Sequence, residues 1–374
     1  MVLKRLLAHS PVRDIYEKVE AGVRITDGDA SRLYATNDLF TLGAMANLVR
    51  ERKNGRDTYY NINRHIDYTN VCSTTCKFCA FSRFEGESGA FEFTHQQIAQ
   101  KAKEAFERER ITELHIVGGL HPNYAFEWYE DMLRLLKKTV PAVHLKCFTG
   151  VEIHYFSDKY GMTYAETLSR LKAAGLDSMP GGGAEIFHPE VREEICPGKA
   201  TAEEWLEVHR TAHRLGLRTN ATMLYGHVER PEHRVDHMRR LRELQDETGG
   251  FQTFIPLAFH PDHTALDRFA RPSGMEDLKN LAIGRVYLDN FPHIKAYWIM
   301  LGMRLAQLSL SFGVDDMDGT VIEEKIYHMA GADTPEVLTV GELRRLIQEA
   351  GRVPVERDTL YKEMKPAPET ASVG

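Results

Sequence analysis

The sequence predicts an α/β protein built as a (β/α)8 barrel of the TIM type, preceded by an N-terminal helical extension. Three observations lead to this prediction. From Tyr59 onward, short apolar runs alternate with longer amphipathic stretches. These stretches have recognisable helix starts, because Thr94 with Gln97 and Thr201 with Glu204 have the spacing of capping boxes. The alternation continues over roughly 250 residues, which is the length that such a barrel needs.

The eight apolar runs are predicted to be the barrel strands. They cover residues 63–69, 113–117, 143–148, 177–179, 218–224, 252–257, 293–299 and 308–312. Glycines that follow two of the intervening helices, Gly175 and Gly216, mark where those helices end.

The chain is predicted to divide into three parts. Residues 1–58 are expected to be helical and to pack on the barrel, since apolar residues such as Leu39 and Leu42 recur at helical spacing. Residues 59–364 are expected to form the barrel with C-terminal helices. The polar, proline-containing residues 365–374 are predicted to be a disordered tail.

Composition and charge exclude several classes of protein. The chain has 374 residues, 43% of them hydrophobic, which is enough to bury a sizeable core. A net charge of -7 and a pI near 6.2 argue against a nucleic-acid binder, because phosphate binding needs a basic surface. The N-terminus lacks a signal-peptide pattern, and Arg304 and Gln307 interrupt the apolar stretch 296–312. We therefore expect a cytoplasmic protein without a membrane span.

Three of the five cysteines lie in one polar loop directly after the first predicted strand. Cys72, Cys76 and Cys79 are separated by three residues and then by two, a spacing that wraps three thiolates around one iron–sulfur cluster. No fourth cysteine lies in the loop, so one iron of a four-iron cluster would stay open. We interpret Cys147 as a buried core residue and Cys196 as a loop thiol.

A zinc site and a group of unrelated core cysteines both fit this loop less well than an iron–sulfur cluster does. A structural zinc site usually has four protein ligands, commonly from two separated Cys-x-x-Cys pairs, and only Cys76 with Cys79 forms such a pair. Three unrelated core cysteines within eight residues of a polar loop are improbable on composition.

The loop resembles the signature of the radical S-adenosylmethionine (SAM) superfamily, Cys-x-x-x-Cys-x-x-Cys with an aromatic residue, here Phe78, before the last cysteine. The resemblance implies one [4Fe-4S] cluster on the three cysteines and SAM bound at the open iron. It also implies a 5′-deoxyadenosyl radical made with an electron from an external reductase of the flavodoxin or ferredoxin type. In such enzymes the chemistry belongs to the cofactor, while the protein binds, orients and excludes solvent.

Residues after the next strands are candidates for SAM contacts, because sites in such barrels lie at the C-terminal ends of the strands. Gly118 and Gly119 end the second strand, where the superfamily places a Gly-Gly against the methionine amino group; a simple turn is the alternative. Glu152 is a candidate ribose or ammonium acceptor, with a solvated charge as its alternative. Gly182, within a run of three glycines, and Glu185 follow the fourth strand.

Three other motifs carry no such prediction. The glycine runs lack the spacing of a dinucleotide-binding fingerprint. The acidic run that ends at Gly319 is misaligned for a calcium loop, so we expect it to cap a helix or to line the rim. His233 and His237 lie four residues apart but lack the glutamate of a zinc protease, and they are expected to be solvated.

Phrases along nearly the whole chain resemble the aminofutalosine synthase family of the futalosine route to menaquinone. They are HIDYTNVCSTTCKFCAFSR, HIVGGLHP, FTGVEIHYF, MPGGGAEIF, EEICPGKA and FGVDDMDGTVIEEKIYHMAGA. The resemblance implies a transferase that adds the deoxyadenosyl radical to 3-[(1-carboxyvinyl)oxy]benzoate. Rearrangement and loss of a carboxyl group would give 6-amino-6-deoxyfutalosine, with methionine released.

An aromatic dicarboxylate of this kind predicts cationic partners at the barrel rim, preferably arginine. The candidates are Arg83, behind the cysteine loop, and Arg268 and Arg271, after the sixth strand. His260, beside that strand, is a candidate hydrogen-bond donor or acid–base group.

Two other functions stay open at this point. One is a sister radical SAM reaction that begins by hydrogen abstraction, as in cyclic dehypoxanthinylfutalosine synthase or FO synthase. The other, from a different class, is an iron–sulfur electron carrier, which normally ligates every iron of its cluster and has no need of a barrel.

Overall fold

The computed structural model describes residues 7–364. One curled sheet contains seven parallel strands, which pair in chain order. Strand β1 (Asp57–Asn61) precedes this sheet and belongs to a second one. The barrel strands are β2 (Asn63–Asp67), β3 (Glu113–Val117), β4 (His144–Cys147), β5 (Ser178–Met179), β6 (Arg218–Tyr225), β7 (Phe251–Ala258) and β8 (His293–Ile294). The first seven predicted strands are thereby confirmed, although β8 is shorter than predicted.

Helices cover the outer face of the sheet. Those that follow barrel strands are His95–Glu109, Phe126–Thr139, Gly150–Tyr160, Tyr164–Ala174, Pro189–Ile195, Ala202–Arg214, Pro231–Thr248 and Gly274–Tyr287. The capping boxes predicted at Thr94 and Thr201 are both formed. Gly175 and Gly216 have positive φ angles at the ends of their helices, as predicted.

The eighth position of the barrel is filled by an unexpected segment. The predicted strand at 308–312 is wrong, because helix Met303–Ser309 and a turn occupy that stretch. Strand β9 (Asp316–Gly319) lies beside β8 instead, where Ala296 N donates to Asp316 O at 2.9 Å. Farther along the same segment, His65 N on β2 donates to Ile322 O at 2.9 Å. The segment therefore bridges both edges of the seven-stranded sheet. The acidic run forms a strand and does not cap a helix, and Asp318 within it lines the interior of the barrel.

A small parallel sheet, unforeseen from the sequence, lies beside the barrel. Its strand order is β10–β1–β9, with β10 formed by Val353–Glu356. Strand β9 joins this sheet through Tyr59, which pairs with Asp316. The C-terminal helices are Trp298–Leu301, Met303–Ser309, Ile326–Met329 and Val340–Glu349.

The described part of the N-terminal segment, from residue 7 to the start of β1, is helical. Its helices are Arg13–Glu20, Asp27–Ala35 and Leu39–Asn54, and the last of these packs against helix Gly274–Tyr287. The buried Arg50 guanidinium ties this segment down by donating to the carbonyl oxygens of Val314 and Asp57. The tail predicted at 365–374 lies outside the described residues. None of the helices between residues 7 and 364 combines the length and the apolar character that a membrane crossing requires.

Strands β3 and β4 alternate between an apolar outer face and a polar inner face. On β3, Leu114 and Ile116 are fully buried against the helices that cover the sheet. The residues that alternate with them, Glu113 and His115, face the barrel axis, as does Lys146 on β4. The inside of a TIM barrel is usually filled with branched apolar residues. A polar interior therefore indicates a binding site and not only a packed core.

Candidate active site

The cysteine loop is held in place by backbone hydrogen bonds from several sides. Cys72 N donates to Arg83 O at 2.9 Å, and Ser73 N donates to Leu120 O at 2.9 Å. At the other end of the loop, Lys77 N donates to Ile195 O at 2.8 Å. These bonds connect the loop to the turns after β3 and after helix Pro189–Ile195. The position of the three thiols is therefore fixed by the barrel and not by the loop alone.

All three loop cysteines line one cavity of about 320 Å³ at the C-terminal ends of the strands. Leu120 N donates to the Cys72 sulfur at 3.4 Å, and burial raises the pKa of the Cys76 thiol to about 12. Among the described residues, no three His, Cys, Asp or Glu side chains converge closely enough to hold a single metal ion. The three thiols line the same cavity, and cysteine thiolates are the ligands that hold iron–sulfur clusters.

The paired glycines after β3 allow the chain to pass close to the cysteine loop. A Cβ on Gly119 would lie closer than 3.0 Å to the carbonyl group of Val71, and one on Gly118 would meet the ring of Tyr68. Gly119 N donates to Thr69 O at 2.9 Å. Both glycines line the cavity, and their carbonyl oxygens are the groups able to accept from an ammonium.

Glu152 lines the cavity but is buried and fully engaged. Its Oε1 accepts from the Tyr68 hydroxyl at 2.8 Å and from Gly118 N at 3.2 Å. Its Oε2 accepts from the backbone and hydroxyl of Thr149, at 2.7 and 2.9 Å, which completes a capping box. A carboxylate has about four acceptor sites, and all are occupied here. Glu152 is therefore a structural anchor for Gly118, and the alternative of a solvated charge is wrong.

Replacement of Glu152 by Gln is expected to flatten part of the pH dependence of stability. Burial raises the pKa of Glu152 to about 7, against 4.5 for an ordinary glutamate. The folded state holds this proton more tightly, so the free energy of unfolding falls as pH rises from about 4.5 to about 7. The fall should be up to about 3 kcal/mol at 1.36 kcal/mol per pKa unit. Urea unfolding at several pH values measures it.

The matched control is Glu166→Gln. Glu166 occupies the same position in the capping box of helix Tyr164–Ala174 but is exposed to solvent. This control should keep the wild-type slope between pH 4.5 and pH 7. Parallel pH profiles for wild type and Glu152→Gln would show that Glu152 titrates normally in the folded protein.

A buried ion pair adjoins the cysteine loop. Lys199 donates to Glu185 at 2.5 Å, and its ammonium lies 5.1 Å from the centre of the Phe78 ring. Burial lowers the pKa of Lys199, but the neighbouring Cys76 and Glu185 raise it by more, so the lysine stays charged. All these residues line the cavity with Gly182, whose carbonyl oxygen accepts from the Trp205 indole at 3.1 Å. Lys199 and Glu185 therefore have charges complementary to the carboxylate and the ammonium group of an amino acid.

Deeper in the barrel, polar side chains form a layer that the sequence analysis missed. His65, His115 and Lys146 are register partners on β2, β3 and β4, so they lie side by side beneath the loop. Lys295 and Asp318 face them from the region of β8 and β9. We call these five residues the cavity floor. In the sequence, such residues can be recognised as single polar residues within an apolar strand, such as His115 in LHIV and Lys146 in LKCF.

His260 lies in the cavity wall with one free ring nitrogen. Its Nε2 is 3.0 Å from Met300 O, to which it donates, while Nδ1 is buried without a hydrogen-bond partner. Burial lowers the pKa of His260. The imidazole is therefore neutral near pH 7, and Nδ1 is left as an acceptor toward the cavity.

The three arginine candidates lie outside the cavity lining. Arg83 donates to the carbonyl oxygens of Ala80 and Ser82, at 2.9 and 2.7 Å, and so closes the loop behind the last cysteine. Arg268 pairs with an exposed Glu194, and Arg271 donates to Asp262 and to Gly331 O. Arg83 therefore stabilises the conformation of the cysteine loop. The cationic side chains that line the cavity are Lys146, Lys199 and Lys295.

Two further expectations concern residues away from the cavity. His233 and His237 are buried, and the expectation that they are solvated is wrong. His237 donates to Thr222 O at 2.9 Å and stacks on Phe187 with ring centres 4.0 Å apart. Cys147 is buried in the core, as predicted, and Cys196 is also buried, behind the cysteine loop.

Comparison with known proteins agrees with this site. Residues 66–241 match the family model of the radical SAM superfamily, and residues 248–371 match the model of the CofH/MqnC C-terminal region. The chain is 53% identical to aminodeoxyfutalosine synthase of Thermus thermophilus, over 94% of this chain and 95% of that protein. It is 47% identical to the enzyme of the same name from Streptomyces coelicolor, over 94% of each.

Relatives of lower sequence identity include enzymes with a different named activity. The chain is 40% identical to 5-amino-6-(D-ribitylamino)uracil–L-tyrosine 4-hydroxyphenyl transferase of Methanoculleus marisnigri, over 94% of this chain and 97% of that protein. Among solved structures, methylornithine synthase superposes with a TM-score of 0.72 at 17% identity, covering 91% of this chain and 96% of that one. A hydrogenase maturase from Carboxydothermus hydrogenoformans gives 0.74 at 16%, covering 96% and 83%. These two likenesses establish the fold alone.

A three-cysteine loop at the C-terminal mouth of a parallel barrel, in a chain that matches the superfamily model, defines a radical SAM enzyme. Family membership implies a [4Fe-4S] cluster and SAM. Within that class, the chain belongs to the aminodeoxyfutalosine synthase family.

Proposed function

We propose that this chain joins the 5′-deoxyadenosyl group of SAM to 3-[(1-carboxyvinyl)oxy]benzoate, with rearrangement and loss of one carboxyl group as bicarbonate or carbon dioxide. The products are 6-amino-6-deoxyfutalosine and methionine, and the reaction belongs to menaquinone biosynthesis. The observation that carries the proposal is the cavity, which the three-cysteine loop lines together with the polar residues of the cavity floor. Identity of 53% to a synthase over 94% of the chain supports it.

Cys72, Cys76 and Cys79 are proposed to hold one [4Fe-4S] cluster with an open fourth corner. The cluster and SAM, when bound, supply the deoxyadenosyl radical. The chain itself fixes the three sulfurs through the backbone bonds of the loop and through Arg83. Gly119 keeps the turn after β3 against that loop.

The SAM contacts proposed for this chain lie around the loop. Gly118 and Gly119 present carbonyl oxygens to the cavity for the methionine ammonium, while Glu152 orients Gly118 from behind. The Glu185–Lys199 pair offers one charge to each end of the methionine zwitterion, and Phe78 covers the lysine. Gly182 has no side chain and leaves room for the adenosyl group.

The apolar wall of the cavity is proposed to exclude water from the reacting carbon. Leu224, Ile255, Leu257 and Phe259 line it along β6 and β7. A primary carbon radical abstracts hydrogen from whatever reaches it, so a closed apolar wall limits side reactions. His260, beside this wall, is proposed to accept at Nδ1 the proton that water releases when the lost carboxyl group becomes bicarbonate.

The His260→Gln variant is expected to lower kcat about 100-fold with a smaller change in KM. Glutamine keeps a donor for Met300 O but cannot take up a proton, so the substitution separates positioning from proton transfer. Steady-state kinetics with reconstituted protein measures both constants. The control, His154→Gln, changes a histidine that hydrogen bonds with Tyr164 outside the cavity. A kcat within about twofold of wild type would remove His260 from the proposed chemistry.

The electron is proposed to come from an external one-electron reductase of the flavodoxin or ferredoxin type. The chain has five cysteines, and the loop uses three of them. The remaining two, Cys147 and Cys196, are too few to ligate a second cluster of the usual kind.

The sister reaction named by the 40% identical relatives is the second candidate. One experiment separates the two functions. Anaerobically reconstituted protein is given SAM, a reductant and either 3-[(1-carboxyvinyl)oxy]benzoate or L-tyrosine with 5-amino-6-(D-ribitylamino)uracil. The proposal expects methionine and an adenosylated product with the benzoate derivative only. Turnover of the tyrosine pair, with free 5′-deoxyadenosine released, would replace it by the transferase function.

A further inference from the structure

The cavity floor has more hydrogen-bond donors than it uses. Lys146 donates to Glu113 at 2.7 Å, and Lys295 donates to Asp318 at 2.9 Å. An ammonium has three N–H groups. Each lysine therefore keeps two donors after its buried ion pair is made. Both lysines are almost inaccessible to solvent, and both line the cavity.

Two stacked imidazoles stand between these lysines. The rings of His65 and His115 lie 4.4 Å apart at an interplanar angle of 11°. The Nε2 atom of His65 is buried without a hydrogen-bond partner, and the partly buried His115 lines the cavity beside it. Across the barrel, Asn220 also lines the cavity, and its buried Oδ1 is unpaired. A buried polar group without a partner costs roughly 1–3 kcal/mol, which indicates that a ligand completes these groups.

The surplus of donors determines the kind of ligand. A carboxylate accepts through two oxygens and donates nothing, so it matches two imidazole N–H groups flanked by ammonium groups. Strand register places this set one layer below Val117, and hence below the glycine turn that faces the cysteine loop. Nearby, Tyr297 stacks on His65 at 6.4 Å and gives an aromatic ring a surface to pack on. Hydrogen-bond donors at the cavity floor, with an aromatic surface beside them, form a suitable binding site for an aryl carboxylate.

We propose that His65 and His115, flanked by Lys146 and Lys295, bind the benzoate carboxylate of the substrate and thereby hold its vinyl group toward the cysteine loop. This inference rests on the proposed function, since it names the residues that recognise that substrate. It also explains why no rim arginine is needed: the anion is bound inside the barrel by lysines and histidines.

The test compares binding of two ligands to cluster-loaded protein with SAM present. The ligands are 3-[(1-carboxyvinyl)oxy]benzoate and its benzamide analogue, in which the ring carboxylate is a neutral amide. His115→Phe keeps the ring stack but removes the N–H groups. It is expected to weaken binding of the benzoate roughly 10- to 100-fold, as loss of a hydrogen bond to a charged group does. Binding of the benzamide should change much less, so the preference for the carboxylate shrinks.

Two further variants keep the test decisive. His115→Gln retains a donor and should recover part of the preference, which a merely structural defect would not allow. His154→Phe, outside the cavity, should leave the preference unchanged. If wild-type protein converts the benzoate but His115→Phe keeps the full preference, the inference is overturned while the proposed function stands. If wild-type protein neither binds nor converts the benzoate, the proposed function fails first and the inference with it.

Discussion

The Cys76→Ala variant is expected to lose both the iron–sulfur chromophore and SAM cleavage. Cys76 is the middle residue of the three-cysteine loop, and with only two thiolates left the loop cannot hold a four-iron cluster that has one corner already open. Reconstitution with iron and sulfide, followed by visible absorption and methionine release, measures both effects. Activity should fall to the level of the unreconstituted protein.

Cys196→Ala is the matched control for this variant. Cys196 is a buried thiol close enough to the loop for its charge to affect Cys76, yet it is not among the three proposed ligands. This variant should bind the full complement of iron and keep its activity, with at most a modest loss of stability from the smaller side chain. Loss of the cluster in Cys196→Ala would make Cys196 a fourth ligand and would rule out an open iron.

The Gly119→Ala variant should have the largest effect of any single methyl group added to the site. Its Cβ would overlap the carbonyl group of Val71, which is backbone and unable to rotate away. The turn after β3 would move off the cysteine loop. We expect the free energy of unfolding to fall by about 3 kcal/mol and the iron content to fall with it. Denaturant unfolding and iron analysis on the same preparation measure the two effects.

Gly182→Ala is the matched control for Gly119→Ala. Its Cβ would lie 2.9 Å from the Cγ2 atom of Thr149, a side-chain atom that is able to shift. The variant should keep its iron and lose little stability, although a methyl group inside the cavity should weaken SAM binding. Equal losses of stability and iron in both glycine variants would mean that the contact with Val71 does not hold the loop.

The barrel and the cysteine loop were predictable because each leaves a strong local pattern. Seven strands followed from apolar runs bounded by capped helices, and the loop followed from cysteine spacing alone. The eighth position was missed because β9 reads as an acidic run, DMDG. Its charges are satisfied by partners distant in sequence, such as Lys295 for Asp318 and Arg357 for Asp316. A strand whose charges are paired only in the folded state has no apolar period to detect.

The deeper part of the site escaped prediction for a related reason. His65, His115 and Lys146 are isolated polar residues in three separate strands, and only strand register brings them together. A rim arginine was expected because the substrate is anionic, but Arg83 turns back onto its own loop. The sequence placed Glu152 after the third strand, next to the site. Its burial and the four hydrogen bonds that it accepts are visible only in the structure.

The measurement that tests the proposed function most directly uses SAM labelled with carbon-13 at the adenosyl C5′ position. Anaerobically reconstituted protein is incubated with this SAM, a reductant and 3-[(1-carboxyvinyl)oxy]benzoate, and the products are separated and analysed by mass spectrometry and carbon NMR. The account predicts a product that contains the labelled carbon in a new carbon–carbon bond and has lost one carboxyl group, with one methionine released per product. Recovery of all the label as free 5′-deoxyadenosine, with the benzoate derivative unchanged, would contradict it.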